Sequence, residues 1–308
     1  MACAAVDAAG AVLFRLDISS PSDNGESMVG ALLDLIGESV ESCAGLGLAV
    51  RAVGVGAAGF ILQPEGIMLE SPNIAWRMVP LKRLIAGRTG LPSFLDNDAN
   101  VAAMGERFAG VCRGVDDFVC ITLGTGIGSG IYSGGSICRG HRGTGAEIGH
   151  MVVDPEGPPC ECGGRGCLES LASGTALERE ASRLAGDDPG SALMSACGGD
   201  LAGLTGEMVA RAAGEGDPVA LQAFRSVAYY LGLGIVSVIH ALGPEKVVLG
   251  GGVSASGHLL LDEVRRVVAE RGIPVLVEPV GIELSTLGTL AGLIGAAALA
   301  WEGIGALR

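Results

Sequence analysis

The order of apolar and polar positions predicts strands and helices that alternate from the start of the chain. Two short apolar runs, residues 2–6 and 11–17, flank the sequence Asp-Ala-Ala-Gly, which is typical of a tight turn, and together they predict a β-hairpin. Apolar residues at helical spacing then predict a helix over 26–46. Residues 51–60 predict a strand that ends among glycines. This mixture of strands and helices predicts an α/β fold.

The rest of the chain continues the alternation, apart from a loop-rich stretch at 141–169. The pattern over 219–242 predicts a core helix. Further helices are predicted at 81–88, from 100 to 108, within 174–242, at 262–270 and at 291–300, and further strands at 93–95, 116–123, 130–137 and 246–249. No internal repeat of solenoid length occurs.

The composition limits which binding partners and which cellular compartment we expect for this protein. The 308 residues carry a formal net charge of -14, and such an acidic surface repels phosphate backbones, which argues against nucleic acid as a partner. The most apolar run, residues 290–301, is too short to span a membrane, and no basic segment typical of a secretory signal follows Met1. We therefore expect a cytoplasmic protein without a membrane partner.

Alternating glycines at 123–130, in the sequence Leu-Gly-Thr-Gly-Ile-Gly-Ser-Gly, favour a phosphate-binding turn. Closely spaced glycines expose backbone N–H groups that can bind phosphate oxygens. The third glycine of a dinucleotide-binding motif is missing, and so is the lysine of a Walker loop. The alternative is a glycine-rich hairpin that binds nothing.

The sequence Asp-Asn-Asp-Ala-Asn at 96–100 is the candidate for acid–base chemistry. Phosphoryl transfer to a hydroxyl needs a carboxylate that orients the hydroxyl and accepts its proton, and Asp98 is the candidate. Asn97 beside it could fix neighbouring sugar hydroxyls. The alternative is a helix N-cap, which Asn and Asp also favour. Both can hold if one residue caps the helix while Asp98 faces the site.

One histidine and three cysteines have the spacing of a closed zinc site. Three thiolates and one imidazole make a tetrahedral structural centre, whereas free buried cysteines are the alternative. The ligands would be His150, Cys160, Cys162 and Cys167. The carboxylates of Glu147 and Glu169 flank this loop and could orient sugar hydroxyls together with His150, although a surface glutamate is usually only solvated.

Taken together, these motifs resemble the ROK family of sugar kinases and repressors over almost the whole chain. The cysteine segment with its following glutamate is the most specific part, and the glycine runs alone are not specific. The motifs are Ser71-Pro-Asn73, Asn97 to Asn100, the glycine run 123–130, Glu147-Ile-Gly-His150, the segment 160–169 and the Gly-Gly-Gly-Val at 250–253.

The resemblance implies an actin-like (ribonuclease H-like) ATPase fold with ATP and sugar in a central cleft between two domains. We expect a smaller domain of residues 1–108 with the C-terminal helix 291–308, and a larger domain of residues 109–290 with the zinc loop. The implied reaction is phosphorylation of glucose by ATP in carbohydrate metabolism. The family also implies a homodimer or homotetramer.

The resemblance also implies roles for single residues. Asp98 would be the catalytic base, and magnesium would arrive with ATP. The sugar would be held by Gly59, Asn73, Asn97, Asp98, Glu147, His150 and Glu169. ATP would be held by Gly124, Thr125, Gly126, Gly128, Gly130, Gly250, Gly251 and Gly252. Structural zinc would be held by His150, Cys160, Cys162 and Cys167.

The chain departs from the family pattern at two places. The family opens on a strand and an Asp-x-Gly-Gly-Thr-Lys loop that binds phosphate, and no Asp-x-Gly-Gly-Thr occurs here. That strand would lie inside the first sheet, so we expect its neighbouring ladders to be unpaired. Either the start is set downstream of the true one, or the chain is a short form and a poor kinase. The second departure is Gly145-Ala146-Glu147, where Ala-Gly-Glu is usual, and we expect little consequence from it.

Other functions remain open at this point. The sugar could be fructose, N-acetylglucosamine or N-acetylmannosamine, because these kinases share their hydroxyl-binding residues. A sugar-binding protein without catalysis would fit the absent loop but not Asp98. A repressor would need a helix-turn-helix, which the hairpin and single helix of residues 1–50 do not predict.

Overall fold

The structure is a computed structural model that describes residues 1–21, 25–71, 74–252 and 257–306. The chain divides into two compact units. Unit 1 comprises Met1–Asp116, Gly130–Ala146 and Thr286–Arg308, and unit 2 comprises Asp117–Ser129 and Glu147–Ser285. These units differ from the predicted domains because residues 109–116, 130–146 and 286–290 belong to unit 1. The division into functional domains stays a prediction.

Unit 1 combines short sheets with helices. The hairpin of β1 and β2 is antiparallel, β3 and β7 pair in parallel, and β4, β5 and β6 form a separate antiparallel sheet. Its elements are β1 (Ala2–Val6), β2 (Val12–Asp17), α1 (Glu26–Gly45), β3 (Val53–Ala57), β4 (Phe60–Leu62), β5 (Ile67–Ser71), β6 (Trp76–Val79), α2 (Leu81–Thr89), β7 (Ser93–Asn97), α3 (Asp98–Ala109), β10 (Ser136–Ile137) and α11 (Ala291–Gly303).

The pair of β1 and β2 and the pair of β3 and β7 are separate two-stranded ladders. No described strand pairs with both β1 and β3, as the sequence led us to expect for this sheet. Helices α3 and α11 pack closely in the same unit, and glycines allow it. A Cβ atom on Gly295 would overlap the Val101 carbonyl, so a larger residue there would push the helices apart.

Unit 2 is built on a mainly parallel sheet. Strand β11 lies between β8 and β12 and pairs in parallel with both, while β9 lies on the other side of β8 and runs on into unit 1, where β10 pairs with it. The elements are β8 (Phe118–Leu123), β9 (Ile127–Ser133), α4 (Leu168–Ala172), α5 (Gly174–Asp187), α6 (Ala192–Ala196), α7 (Gly206–Gly214), α8 (Pro218–Leu242), β11 (Lys246–Gly250), α9 (His258–Arg271), α10 (Pro274–Val277) and β12 (Gly281–Leu284).

The long helix α8 is the core helix that the sequence predicted. It packs against α4, α5, α7 and α9, and residues along its whole length are buried, among them Phe224, Leu231 and Ile239. Within the described part of the chain it is the one helix long and apolar enough to cross a membrane. Because the core helix of a globular unit meets the same criterion, this finding carries no further conclusion.

The hairpin, the first helix and the strands near 53, 93, 118 and 246 confirm the sequence predictions. Two predictions need correction, and four short strands were missed. Strand β9 begins at Ile127 and not at residue 130, so Gly128 lies inside a strand. Helix α9 begins at His258 and not at residue 262. The short strands β4, β5, β6 and β12 were not predicted, because runs of three to five residues show too little periodicity.

Candidate active site and metal centre

Asp98 begins helix α3 directly after strand β7, at the carboxyl end of the β3–β7 ladder. Asn97 is the N-cap, since its Oδ1 accepts hydrogen bonds from the N–H groups of Ala99 (2.9 Å) and Asn100 (3.3 Å). Its Nδ2 donates to the Gly59 carbonyl at 3.2 Å. Capping is therefore the work of Asn97, and the Asp98 side chain stays exposed and available for chemistry.

The electrostatics of Asp98 suit a proton acceptor. Desolvation by the protein atoms around the carboxylate raises its pKa above the usual value, although part of the side chain reaches solvent. A hydrogen bond from the Ala99 N–H, at 3.0 Å, opposes this shift by stabilising the charged form. The net result is a more basic carboxylate than that of an ordinary aspartate.

Sequence reasoning missed the residue that holds this loop in place, which is Asp96. Its side chain is 3% exposed and accepts three hydrogen bonds: Oδ1 from the Asn97 N–H (2.8 Å) and Asn100 Nδ2 (2.9 Å), and Oδ2 from Arg139 Nε (2.6 Å). These bonds tie both ends of the 96–100 segment to one carboxylate. The acidic residue stands in the motif itself, but nothing in the sequence pairs it with an arginine 43 positions away.

The glycine run forms a tight turn between β8 and β9 in unit 2. The Gly124 N–H donates to the Gly126 carbonyl at 3.0 Å. Helix α5 starts against this turn, because the Gly174 N–H donates to the Gly124 carbonyl at 2.8 Å and the Thr175 hydroxyl to the Thr125 carbonyl at 2.9 Å. The predicted hairpin turn is thus confirmed, and it stands beside a helix N-terminus, an arrangement suited to anions.

The second glycine cluster reaches the same edge of the sheet. Because β11 and β8 are parallel with Gly250 opposite Thr122, the residues after Gly250 lie beside the start of the glycine turn. Gly251 has φ of +89°, and a Cβ atom there would overlap the Leu123 carbonyl. The structure therefore brings together two of the glycine groups that were predicted to hold ATP.

Gly130, the last of the predicted ATP residues in the first run, belongs to unit 1. A Cβ atom there would come within 2.6 Å of the Ala103 Cβ and 2.8 Å of the Ala99 carbonyl. Close packing against helix α3 is thus enough to explain why a glycine stands at position 130. Its role in ATP binding stays a prediction.

The four predicted zinc ligands come together in unit 2. Their ligand atoms all lie within 4.8 Å of one another, with 3.7 Å from Cys160 Sγ to His150 Nδ1 and 3.7 Å between the Sγ atoms of Cys162 and Cys167. Zinc–sulfur bonds of about 2.3 Å in a tetrahedron place two sulfur atoms about 3.8 Å apart. The three thiols and one imidazole therefore fit a four-coordinate zinc ion.

Local backbone and charge also fit a cation at this cluster. Gly163 and Gly166, with φ of +88° and +66°, allow the tight turn between Cys162 and Cys167. Burial, together with the neighbouring thiols, raises the pKa of Cys167 to about 12, and burial also raises that of Cys160. Thiolates at these positions therefore need a positive charge among them at neutral pH.

Glu169 connects the glycine turn with the cysteine loop. Its Oε2 accepts a hydrogen bond from the Ile127 N–H at 2.8 Å, and its Oε1 lies 3.9 Å from Cys160 Sγ. A Cβ atom on Gly126 would overlap the same carboxylate. The sequence singled out Glu169 for its place next to Cys167, but its contact with Ile127, 42 residues away, was not predictable.

The structure describes only some of the remaining residues that were predicted to bind the sugar. Glu147 is exposed and precedes the 3₁₀ turn Ile148–His150, which presents His150 to the cysteines. Gly59 has φ of +128°, and a side chain there would crowd the backbone of Ser71. Asn73 lies outside the described residues.

Ala146, the residue directly before Glu147, has φ of +69°. This is the left-handed region, which an alanine adopts at a cost of about 1–2 kcal/mol and a glycine adopts freely. The inverted order Gly145-Ala146 thus has a structural consequence that the sequence did not lead us to expect.

Comparison with known proteins gives a consistent result. The family model for the ROK family matches residues 1–302. A glucokinase of Streptomyces coelicolor is 40% identical over 275 residues, which cover 88% of this chain and 86% of that protein. A xylose repressor of Caldicellulosiruptor bescii is 31% identical over 274 residues, covering 89% of this chain and 68% of the repressor.

A solved structure agrees with these relatives. The ROK glucokinase of Streptomyces griseus, in complex with glucose and AMPPNP, has a TM-score of 0.86 and 39% identity, covering 97% of this chain and 95% of that one. This similarity confirms the predicted α/β class with an actin-like ATPase fold. The family match extends over nearly the whole chain, and the chain therefore belongs to the ROK family.

Proposed function

We propose that this protein is a glucokinase that transfers the γ-phosphoryl group of ATP to glucose and forms glucose 6-phosphate. The observation that carries the proposal is the exposed Asp98 carboxylate at the start of α3, whose pKa is raised, in a chain 39% identical to a structure that holds glucose and an ATP analogue. The product would feed glycolysis.

Asp98 acts as the general base in this mechanism. Its carboxylate accepts the proton of the C6 hydroxyl while the hydroxyl oxygen forms a bond to the γ-phosphorus, and the bond from that phosphorus to the leaving ADP oxygen breaks. Asn97, fixed by its cap and by the Gly59 carbonyl, keeps Asp98 in place and offers the second N–H of its Nδ2 to the sugar. The proton, the phosphoryl group and the leaving ADP are thus all accounted for.

The residues of unit 2 bind and orient the ATP and the sugar. The amides of Thr125 and Gly126, beside the N-terminus of α5, hold phosphate oxygens, because the Gly124 N–H is already donated to the Gly126 carbonyl, and residues 250–252 lie near the adenosine. Glu147 and Glu169 accept hydrogen bonds from sugar hydroxyls, and His150, whose Nδ1 faces the cysteines, donates its Nε2–H to a sugar oxygen. His150 and the three cysteines would hold a structural zinc ion, which would stiffen this loop without taking part in the reaction. Magnesium that arrives with ATP neutralises phosphate charge when it is bound.

An assay of ATP turnover with a sugar panel tests the proposal. The chain as printed, and the chain with an added Asp-x-Gly-Gly-Thr-Lys segment ahead of Met1, would be compared on glucose, fructose, N-acetylglucosamine and N-acetylmannosamine. We expect glucose to give the highest kcat/KM in at least one form. If neither form shows sugar-dependent turnover, the proposed kinase activity is wrong. If another sugar is clearly preferred, the assignment of glucose as the substrate is wrong.

The role of Asp98 has its own test in the active form. Asp98→Ala should lower kcat by about 10³-fold and leave glucose affinity, measured by calorimetry, within a few-fold. Asp17→Ala, at an exposed aspartate on β2, is the control and should leave kcat unchanged. An Asp98→Ala protein that keeps full turnover would remove Asp98 as the base.

We also propose a cytoplasmic homodimer or homotetramer, as the family resemblance implies. Light scattering coupled to size exclusion measures the assembly, and a strict monomer at micromolar concentration would contradict it.

A further inference from the structure

The cysteines of the candidate zinc site differ in how far solvent reaches them. All nine cysteines of the chain lie in the part that the structure describes, and Cys162 is the one exposed cysteine among them. Cys160 and Cys167 are buried, with exposed fractions of 9% and 2%. Since oxidation of a thiol depends on access to its sulfur, Cys162 is the first thiol of this chain that a dissolved oxidant meets.

A second sulfur atom stands next to that of Cys162. The Sγ atoms of Cys162 and Cys167 are 3.7 Å apart, whereas Cys160 Sγ lies 3.7 Å from His150 Nδ1. An oxidised cysteine is converted to a disulfide when a second thiol is close enough to attack it. Cys167 occupies that position, and Cys160 faces the histidine instead.

The short loop between these two sulfur atoms allows them to approach each other. A disulfide bond is about 2.05 Å long, so the sulfur atoms have to move together by less than about 2 Å. Gly163 and Gly166 stand in this loop with φ of +88° and +66°. Because Cys162 is exposed, its side chain can turn toward Cys167 without displacing a packed neighbour.

Gly164 leaves the pair of sulfur atoms open on the solvent side. It is exposed, and a Cβ atom at this position would lie 3.4 Å from Cys162 Sγ and 3.6 Å from Cys167 Sγ. A longer side chain here would therefore cover both sulfur atoms, whereas glycine lets a small oxidant reach them.

We propose that Cys162 and Cys167 form an oxidative modification site, at which a hydroperoxide converts the two thiolates to a disulfide and zinc is released. The site takes a small oxidant such as hydrogen peroxide. The proposal builds on the zinc site described above and does not depend on the kinase activity.

The chemistry balances with one peroxide per disulfide. A thiol that coordinates zinc is deprotonated, so the Cys162 sulfur is a nucleophile. It attacks one oxygen of hydrogen peroxide, the O–O bond breaks, Cys162 becomes a sulfenic acid, and the leaving hydroxide takes up a proton to give water. The Cys167 thiolate then attacks the Cys162 sulfur, the S–O bond breaks, and a second proton gives a second water. The two sulfur atoms lose two electrons, which reduce the peroxide.

The disulfide would change the surroundings of the glycine turn. It leaves His150 and Cys160 as ligands, and two ligands do not make the closed tetrahedral site of a structural zinc ion. Glu169 stands two residues after Cys167, and its carboxylate accepts the hydrogen bond from the Ile127 N–H. Oxidation of the cysteine loop is thus connected to the glycine turn through one carboxylate.

Peroxide titration of the zinc-loaded full chain, without ATP or sugar, tests the proposal. Zinc release is followed with a chromogenic chelator, free thiols are counted, and the disulfide is located by mass spectrometry of unreduced peptides. We expect about one zinc ion per chain to leave as two thiols disappear, with Cys162 joined to Cys167. The Ile127 amide should exchange its hydrogen about threefold faster or more, and dithiothreitol with added zinc should reverse every change.

A variant that keeps all four ligands tests the route of the oxidant. The φ of Gly164 is outside the left-handed region, so Gly164→Leu is tolerated there and covers the two sulfur atoms. It should carry the same zinc content and release the metal at least about fivefold more slowly. Gly203→Leu, at another exposed glycine of unit 2 with no atom near its Cβ position, is the matched control and should release zinc at the unchanged rate.

Several results would overturn the proposal. Zinc release with sulfinic acid at Cys162 and no disulfide would do so, and so would a disulfide that contains Cys160. Release at the unchanged rate from Gly164→Leu would show that the oxidant does not enter at Cys162. If the purified chain holds no zinc before peroxide is added, the zinc site is wrong, and the position of the disulfide still decides whether Cys162 and Cys167 are the oxidation site.

Discussion

The Asp98 loop of unit 1 and the glycine–cysteine region of unit 2 are held in place by different means. In unit 2 the glycine turns follow strands of one continuous ladder, and the metal ligands fall within 18 successive residues. In unit 1 the ladder is divided, and side chains hold the loop, chiefly the Asp96 carboxylate. Backbone and local spacing thus secure the glycine–cysteine region of unit 2, and side-chain bonds between distant positions secure the Asp98 loop of unit 1.

The largest effect is expected from breaking the cysteine cluster. Cys167→Ser removes one of the four candidate metal ligands from a buried position, and we expect loss of bound zinc and about 3–5 kcal/mol less stability. Metal analysis and thermal melting of fresh protein measure both. Cys197→Ser, at a half-buried cysteine away from the cluster, is the control and should keep the metal. If the Cys167→Ser protein keeps its normal metal content and melting temperature, the claim that closely spaced metal ligands stabilise this region of unit 2 is wrong.

A smaller loss is expected from breaking the Asp96 network. Asp96→Ala leaves Arg139 and the Asn97 N–H without their shared acceptor, which should cost about 2–4 kcal/mol and lower kcat by about tenfold or more. Denaturant unfolding and steady-state kinetics measure the two effects.

The matched control is Asp116→Ala, which breaks a 2.9 Å ion pair with Arg107 in the same unit. Because the Asp116 side chain is 61% exposed, its loss should cost less than about 1 kcal/mol. Equal losses for the two variants would mean that the Asp96 network has no special role.

The pH dependence of kcat/KM sharpens the comparison further. Asp98 must be deprotonated to accept a proton, and desolvation raises its pKa. Turnover should therefore fall as the pH is lowered through that raised pKa, at a pH above the usual value of about 3.9 for aspartate. Metal content is followed across the same range, so that loss of the cysteine cluster is not mistaken for titration of Asp98. Activity that stays constant down to pH 4 would contradict the raised pKa.

The smallest effect concerns Ala146, where relief of backbone strain should raise stability. Since φ at this residue is +69°, Ala146→Gly should add about 0.5–1 kcal/mol to the free energy of unfolding. Ala44→Gly, at an exposed position in α1, should act in the opposite direction because glycine disfavours helix. Equal signs for the two changes would exclude strain at Ala146.

The same contrast explains what the sequence could predict. The zinc ligands and the glycine turn were predicted because their residues are close together along the chain, and the structure places them together. Of the two readings of the 96–100 segment, the structure shows that Asn97 caps α3, and the role of Asp98 as the base stays a prediction. Arg139 and the Ile127 contact of Glu169 were missed because each joins positions more than 40 residues apart, and pairing at that distance leaves no periodic signal.

Unit 1 contains a cavity that is lined by β1, α1 and α11, and this cavity determines which method suits a measurement of thermal unfolding. Dyes that fluoresce in apolar surroundings report unfolding by binding newly exposed apolar groups. Here the folded unit 1 already offers such a dye a cavity of about 600 Å³, bordered by aliphatic residues of α1 and α11. A dye-based melt should therefore start from high fluorescence and understate the transition, whereas circular dichroism of the helices is unaffected by the cavity.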